Sequence, residues 1–265
     1  MCTWRSHQSL TKLFGPIYKR SRDKIEIDLT YVCNLGCHDC NRSCNQAPEP
    51  LEIKLSLVRN FVDESIKEEL EWKTIRLLGG EPTLHSSFEE ILYILSEYKL
   101  RFPRVRIEIV TNGYQRKVKR QLLKVPPYFH IENSNKSSNE QKHFYPFNIA
   151  PCDLSNFDQI DFSNGCSNME ECGMGLTPMG YYPCPLSGGI DRIAGWKIGR
   201  KYIPDHSDDM LDILSKACPL CGRFIQRNFI PYDVVPKVLR GQMSNSWRNL
   251  YLKWEKRKSG GDDHT

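Results

Sequence analysis

Three cysteines, Cys33, Cys37 and Cys40, stand at x3 and x2 spacing within eight residues. Thiols so spaced can converge on one metal centre. A mononuclear zinc site normally takes four protein ligands, whereas an iron–sulfur cubane held by three thiolates leaves one iron open to an exogenous ligand. Three is therefore the informative number, and Cys44, extra to the set, reads as a structural thiol. A second group lies downstream in Cys152, Cys166, Cys172, Cys184, Cys218 and Cys221. The stretch from Cys172 to Cys184 has turn residues between two short apolar runs, the pattern of a hairpin with a thiol at each end. With the knuckle Cys218-Pro219-Leu220-Cys221 it makes a four-thiolate cage. Cys172, Cys184, Cys218 and Cys221 are the favoured ligands, Cys166 is the other candidate for the first position, and Cys152 reads as a buried thiol. Four thiolates suit zinc as well as iron–sulfur.

These residues need elements to hold them. Lys24–Thr30 alternates apolar and polar residues with period two, a half-buried strand that runs straight into Cys33. Ile53, Leu57, Phe61, Val62, Ile66 and Leu70 recur at helical spacing. Thr74 to Leu78 reads as a second strand ending in Gly79-Gly80. A helix follows, with Ser86 or Ser87 as N-cap and Glu89 and Glu90 in its first turn. The alternation continues through a strand at Val105 to Val110, a turn at Thr111-Asn112-Gly113, a basic helix to Lys124 and a strand at Tyr128 to Glu132. Asn133 to Asn156 shows no helical period, and Phe157 to Phe162 reads as a last strand. Such βα alternation implies a parallel sheet with helices outside it. Gly188, Gly189, Trp196 and Gly199 read as core or turn residues, with a substrate cavity as their other use.

Composition narrows the function. The chain has 265 residues, and its 37 basic and 32 acidic side chains leave a net charge of +5. That excess does not call for a nucleic-acid partner. The basic runs at Lys19, Arg20 and Arg22, at Arg116 to Arg120 and at Lys253 to Lys258 read as solvated faces. Apolar runs such as Ile107 to Val110 fall far short of the roughly 18 residues that cross a bilayer. No apolar export segment follows Met1. A cytoplasmic protein is expected, and eleven cysteines there point to metal rather than to disulfides.

Cys33, Cys37 and Cys40 after the first strand resemble the signature of the radical SAM superfamily, and Gly79-Gly80-Glu81-Pro82 after the second strand is similar to its GGEP motif. The resemblance covers residues 24–162. It implies an α/β fold, a partial parallel (β/α)6-type barrel, and a 4Fe-4S cluster on the three cysteines that binds S-adenosyl-L-methionine. It further implies reductive cleavage to a 5'-deoxyadenosyl radical that removes hydrogen from substrate. Gly79, Gly80, Glu81 and Pro82 would meet the methionyl group, and Asn112, Glu132 and Ser134 the ribose and carboxylate. Asp39 stands where the family often has an aromatic residue. The later cysteines resemble the SPASM and twitch modules that carry an auxiliary 4Fe-4S cluster. The chain then divides into a leader (1–23), a core (24–162), a small cysteine-rich C-terminal module with helices (163–258) and a tail (259–265). The implied activity is that of an oxidoreductase or peptide maturase. Its partners would be a small-molecule or peptide substrate and a flavodoxin- or ferredoxin-type electron donor. A zinc–thiolate protein that binds nucleic acid, or a radical SAM enzyme acting on RNA, is the other reading of the same residues.

Overall fold

The computed structural model describes residues 3–138, 143–144, 147–225, 230–231 and 241–259. In chain order the elements are α1 (Gln8–Phe14), β1 (Lys24–Thr30), α2 (Leu55–Lys67), β2 (Thr74–Gly79), α3 (Phe88–Arg101), β3 (Arg106–Thr111), α4 (Gln115–Leu122) and β4 (His130–Asn133). They continue through β5 (His143–Phe144), α5 (Asn168–Glu171), β6 (Met174–Thr177), β7 (Gly180–Tyr182), α6 (Pro185–Ala194), α7 (Leu211–Ala217), β8 (Ile230–Pro231) and α8 (Asn245–Ser259). The central sheet has six strands in the order β4-β3-β2-β1-β6-β7 and is open at both edges. All its pairings are parallel except β6 with β7. β5 and β8 form a separate antiparallel pair.

Side chains alternate across the sheet because strand residues point to opposite faces. Ile25, Ile27 and Leu29 of β1, Ile75 and Leu77 of β2, and Ile107 and Ile109 of β3 share one face. There they pack with Val58, Phe61 and Val62 of α2 and Ile91, Leu92 and Leu95 of α3. The apolar spacing expected of α2 is met at those three buried positions. The opposite face is ionic. Register sets Glu26 beside Arg76 and Arg76 beside Glu108, and Arg76 reaches Glu26, Glu108 and Glu132. The period-two pattern of β1 is thus real, but its polar face meets no solvent: Glu26 is 1% exposed and Asp28 not at all.

Two expectations differ from the fold. Phe157 to Phe162 forms no strand. It makes two 3-10 turns, Ser155–Phe157 and Phe162–Asn164, and Ile160 contributes only an isolated bridge to His7. Phe157 and Ile160, three residues apart, both enter a second apolar cluster with Ile190, Leu214 and Trp247. A strand would send them to opposite faces. The place beside β1 is taken by β6, so residues beyond 163 supply two strands of the central sheet. The leader holds α1, and the 260–265 part of the tail lies outside the described residues. No helix among the described residues is long and apolar enough to cross a membrane.

Candidate functional site

The first three cysteines follow β1, at the C-terminal edge of the sheet, where ligands gather in such folds. Cys33, Cys37 and Cys40 all line one cavity of about 490 Å³. The turn after β2 lies backbone to backbone against their loop. Gly80 N donates to Thr30 O at 2.6 Å and Glu81 N to Val32 O at 2.9 Å. A Cβ on Gly80 would penetrate the carbonyl oxygen of Val32, and Gly79 combines a similar clash with Thr30 O and a φ of +121°. The glycines therefore seat the cysteine loop. Gly80→Ala is expected to cost about 1–3 kcal/mol by forcing the two backbones apart and to lower the metal content at the first cysteines, measured by thermal unfolding and iron assay. A variant as stable and as metal-rich as the parent would count against this account.

The remaining residues expected at this site are placed as follows. Asn112 lines the cavity; its Nδ2 donates to Asn34 Oδ1 at 2.8 Å and lies 3.9 Å from Cys33 Sγ. Glu132 and Ser134 line it as well, the first paired with Arg76 at 2.7 Å and the second donating to Thr111 O at 3.0 Å. Glu81 is fully buried. Its carboxylate accepts from Thr83 Oγ1, Thr111 Oγ1 and Asn112 N at 2.7–2.8 Å, tying the glycine turn to the end of β3. Pro82 is buried at the start of a 3-10 turn.

Burial pushes the Cys33 thiol up to about 11. A hydrogen bond from Cys44 holds Cys40 below the ordinary thiol range. Cys44 is buried beside the loop, in keeping with a structural thiol.

The downstream cysteines separate. Cys166, Cys184, Cys218 and Cys221 line one small chamber with Met169, Leu186, Ile190, Leu214 and Phe224, and each thiol is about 7% exposed. Burial, then the neighbouring Cys166, Cys184 and Cys221, push Cys218 well up. Cys166 follows a turn ended by Gly165 at φ +58°. Cys184 begins α6, Cys218 ends α7, and Cys221 opens a 3-10 turn. Cys172, at the end of α5, lines the large cavity instead. Leu186 borders both spaces. Cys152 is exposed, not buried, with its sulfur 3.6 Å from Ser246 Oγ. It sits in a turn at Pro151–Asp153 rather than in the apolar cluster nearby. Gly188 and Gly189 are buried within α6, and Trp196 is partly exposed away from the large cavity. Among the described residues, no three His, Cys, Asp or Glu side chains stand close enough to hold one metal ion.

Sequence reasoning missed the charged floor of the large cavity. Arg42 reaches Glu26 at 2.8 Å and Asp28 at 3.3 Å, with 6% of its side chain exposed. Glu26, Arg42 and Arg76 line the cavity together with Glu171 and Arg223. The available signal was the charge at alternate positions of β1 and β3, with Arg76 on β2 between them.

The fold and site define a class: an α/β protein whose parallel strands deliver a three-thiol loop and a glycine turn to the mouth of one cavity with charged residues in its wall. The family pattern of the radical SAM superfamily matches residues 27–141 of the chain. It is 31% identical over 98 residues to a probable GTP 3',8-cyclase of Sulfolobus acidocaldarius, covering 37% of this chain and 29% of that protein. It is 30% identical over 86 residues to the mycofactocin maturase MftC of Mycolicibacterium smegmatis, covering 32% and 20%. The chain thus spans well under two thirds of these relatives. Among solved structures, BtrN in complex with AdoMet and 2-DOIA aligns over 86% of this chain and 100% of its own, at 15% identity and a TM-score of 0.46.

Proposed function

We propose that this protein is a radical SAM enzyme that oxidises a small polar substrate. The observation that carries the reading is the convergence of Cys33, Cys37 and Cys40 on one cavity beneath the glycine turn. The donor set fits a 4Fe-4S cluster: three thiols, and an open cavity beside them for a further ligand. Cys33, Cys37 and Cys40 would hold the cluster, which would supply the electron for reductive cleavage of S-adenosylmethionine and so the means of removing hydrogen from a substrate C–H bond. Asn112 orients Cys33 and Asn34 at the cavity wall. Glu26, Arg42, Arg76 and Glu132 present hydrogen-bonding groups that suit hydroxyl and amino substituents.

Cys166, Cys184, Cys218 and Cys221 would hold an auxiliary 4Fe-4S cluster. Four buried thiols lining one chamber are the donor set that such a cluster takes. Oxidation of an alcohol or amine by two electrons needs a second electron acceptor after hydrogen is removed. The chamber lies next to the cavity across Leu186, and Glu132 and Glu171 stand at the cavity to take the released proton. A peptide is the second substrate class, favoured by the similarity to a maturase.

Anaerobically loaded protein given dithionite and S-adenosylmethionine is expected to yield 5'-deoxyadenosine. Deuterated aminocyclitols or precursor peptides should pass label into it, read by mass spectrometry. Intact S-adenosylmethionine in iron-replete protein would sink the reading.

A further inference from the structure

Helix α4 carries Arg116, Lys117, Lys119 and Arg120 and no acidic residue. Four of the 37 basic and none of the 32 acidic side chains lie here, so the rest of the chain nets only +1. At 100° per residue the four cations spread over one face, opposite Val118, which is fully buried. All four are exposed, and among the described residues none forms an ion pair, whereas Lys124 just beyond the helix pairs with Glu89. The basic run of α8 is different. It contains Glu255, Arg257 donates to Ile193 O, and Lys258 pairs with Glu49.

The position of α4 matters as much as its charge. Asn34, next to Cys33, donates to Tyr114 O at 2.8 Å, the N-cap residue of the helix. Asn112 joins Asn34 to the Cys33 sulfur, and α4 packs on the turn Pro82–Leu84 after the glycine pair. The unpaired positive charge of α4 therefore adjoins the loop that carries Cys33.

We propose that the exposed face of α4 docks a small acidic electron-transfer protein. This rests on the radical SAM reading, which requires a one-electron donor. A reduced flavin on the donor would give up one electron and become the semiquinone, and the group that Cys33, Cys37 and Cys40 would hold would accept it. No bond forms or breaks in the transfer. Complementary charge would raise the association rate and make it salt-dependent.

The test uses full-length loaded protein and fluorescently labelled flavodoxin as the probe, with binding read by anisotropy. Affinity is expected to fall steeply with salt. It should weaken about tenfold or more, equivalent to about 1.4 kcal/mol or more, in Arg116→Glu/Lys119→Glu/Arg120→Glu and to a smaller degree in Arg116→Gln/Lys119→Gln. 5'-Deoxyadenosine formation with dithionite should be unchanged in both. Unaltered flavodoxin binding in both variants would overturn the proposal, as would loss of binding in Lys253→Glu/Lys256→Glu instead, or tighter binding of single-stranded RNA than of flavodoxin. Absence of 5'-deoxyadenosine in the dithionite arm of the parent protein would fault the enzymatic reading, while the binding arm still reports on the surface.

Discussion

Cys166→Ala/Cys218→Ala protein, purified and loaded without oxygen, is expected to hold about four irons where the parent holds about eight, the content of two cubanes. Cys172→Ala should keep all eight. The reason is placement: Cys166 and Cys218 share one chamber with Cys184 and Cys221, while Cys172 borders the large cavity among Glu26, Arg42 and Arg76. A Cys33→Ala/Cys37→Ala/Cys40→Ala variant should lose the other four irons and with them 5'-deoxyadenosine formation. The three variants together assign each set of thiols. Iron lost on replacing Cys172 but kept on replacing Cys166 and Cys218 would return Cys172 to the ligand set. Zinc in the parent at both sites would remove the iron–sulfur reading.

Arg42→Met is expected to lose about 3–5 kcal/mol of stability, the cost of leaving buried charge without its partner. In a protein of this size that corresponds to a fall in Tm of roughly 6–20 °C. Arg42 sits between Glu26 and Asp28, both buried. Even with Arg42 present, burial pushes Asp28 up to about 6 from an ordinary value of 3.8, against the pull of Arg42. A carboxyl raised in the folded state binds its proton there first, so acidification from about pH 6 toward pH 4 favours the folded form. Without Arg42 the rise should be larger. The stability gap between variant and parent is therefore expected to be narrower at pH 5 than at pH 8, measured by urea unfolding at each pH. An equal gap at both would mean that the loss comes from packing of the long side chain.

The parts of this architecture that follow from local pattern were legible in the sequence. β1 to β3 and helices α2 and α3 lie close to where the spacing of Ile, Leu, Val and Phe puts them, because each buries an apolar face against its neighbours in sequence, whereas β4 is exposed along its length. The cysteine loop and glycine turn were readable for the same reason, as both lie at strand ends. What escaped depends on distant partners. Phe157 to Phe162 has a strand-like composition, yet the apolar cluster around Ile190 and Trp247 draws Phe157 and Ile160 to one side. Glu26 and Asp28 look like a solvated face until Arg42, sixteen and fourteen residues away, turns back over them. Spacing favours Cys172 over Cys166 as the first ligand of the second set. The course of the chain through Gly165 and the four-residue α5 puts Cys166 in the chamber instead.

The pairing of β1 with β6 also bears on synthesis at the ribosome. Ile25 faces Met174 and Ile27 faces Leu176, each pair 149 residues apart. At about 5–20 residues per second, one edge of β1 waits roughly 7–30 s for its partner. An apolar strand left bare so long would recruit other nascent chains. Glu26 and Asp28 interrupt the run Lys24-Ile25-Glu26-Ile27-Asp28-Leu29 with charge at every second residue, which discourages such stacking. Glu26, at the floor of the finished cavity, and the buried Asp28 would thus act first as gatekeepers against aggregation.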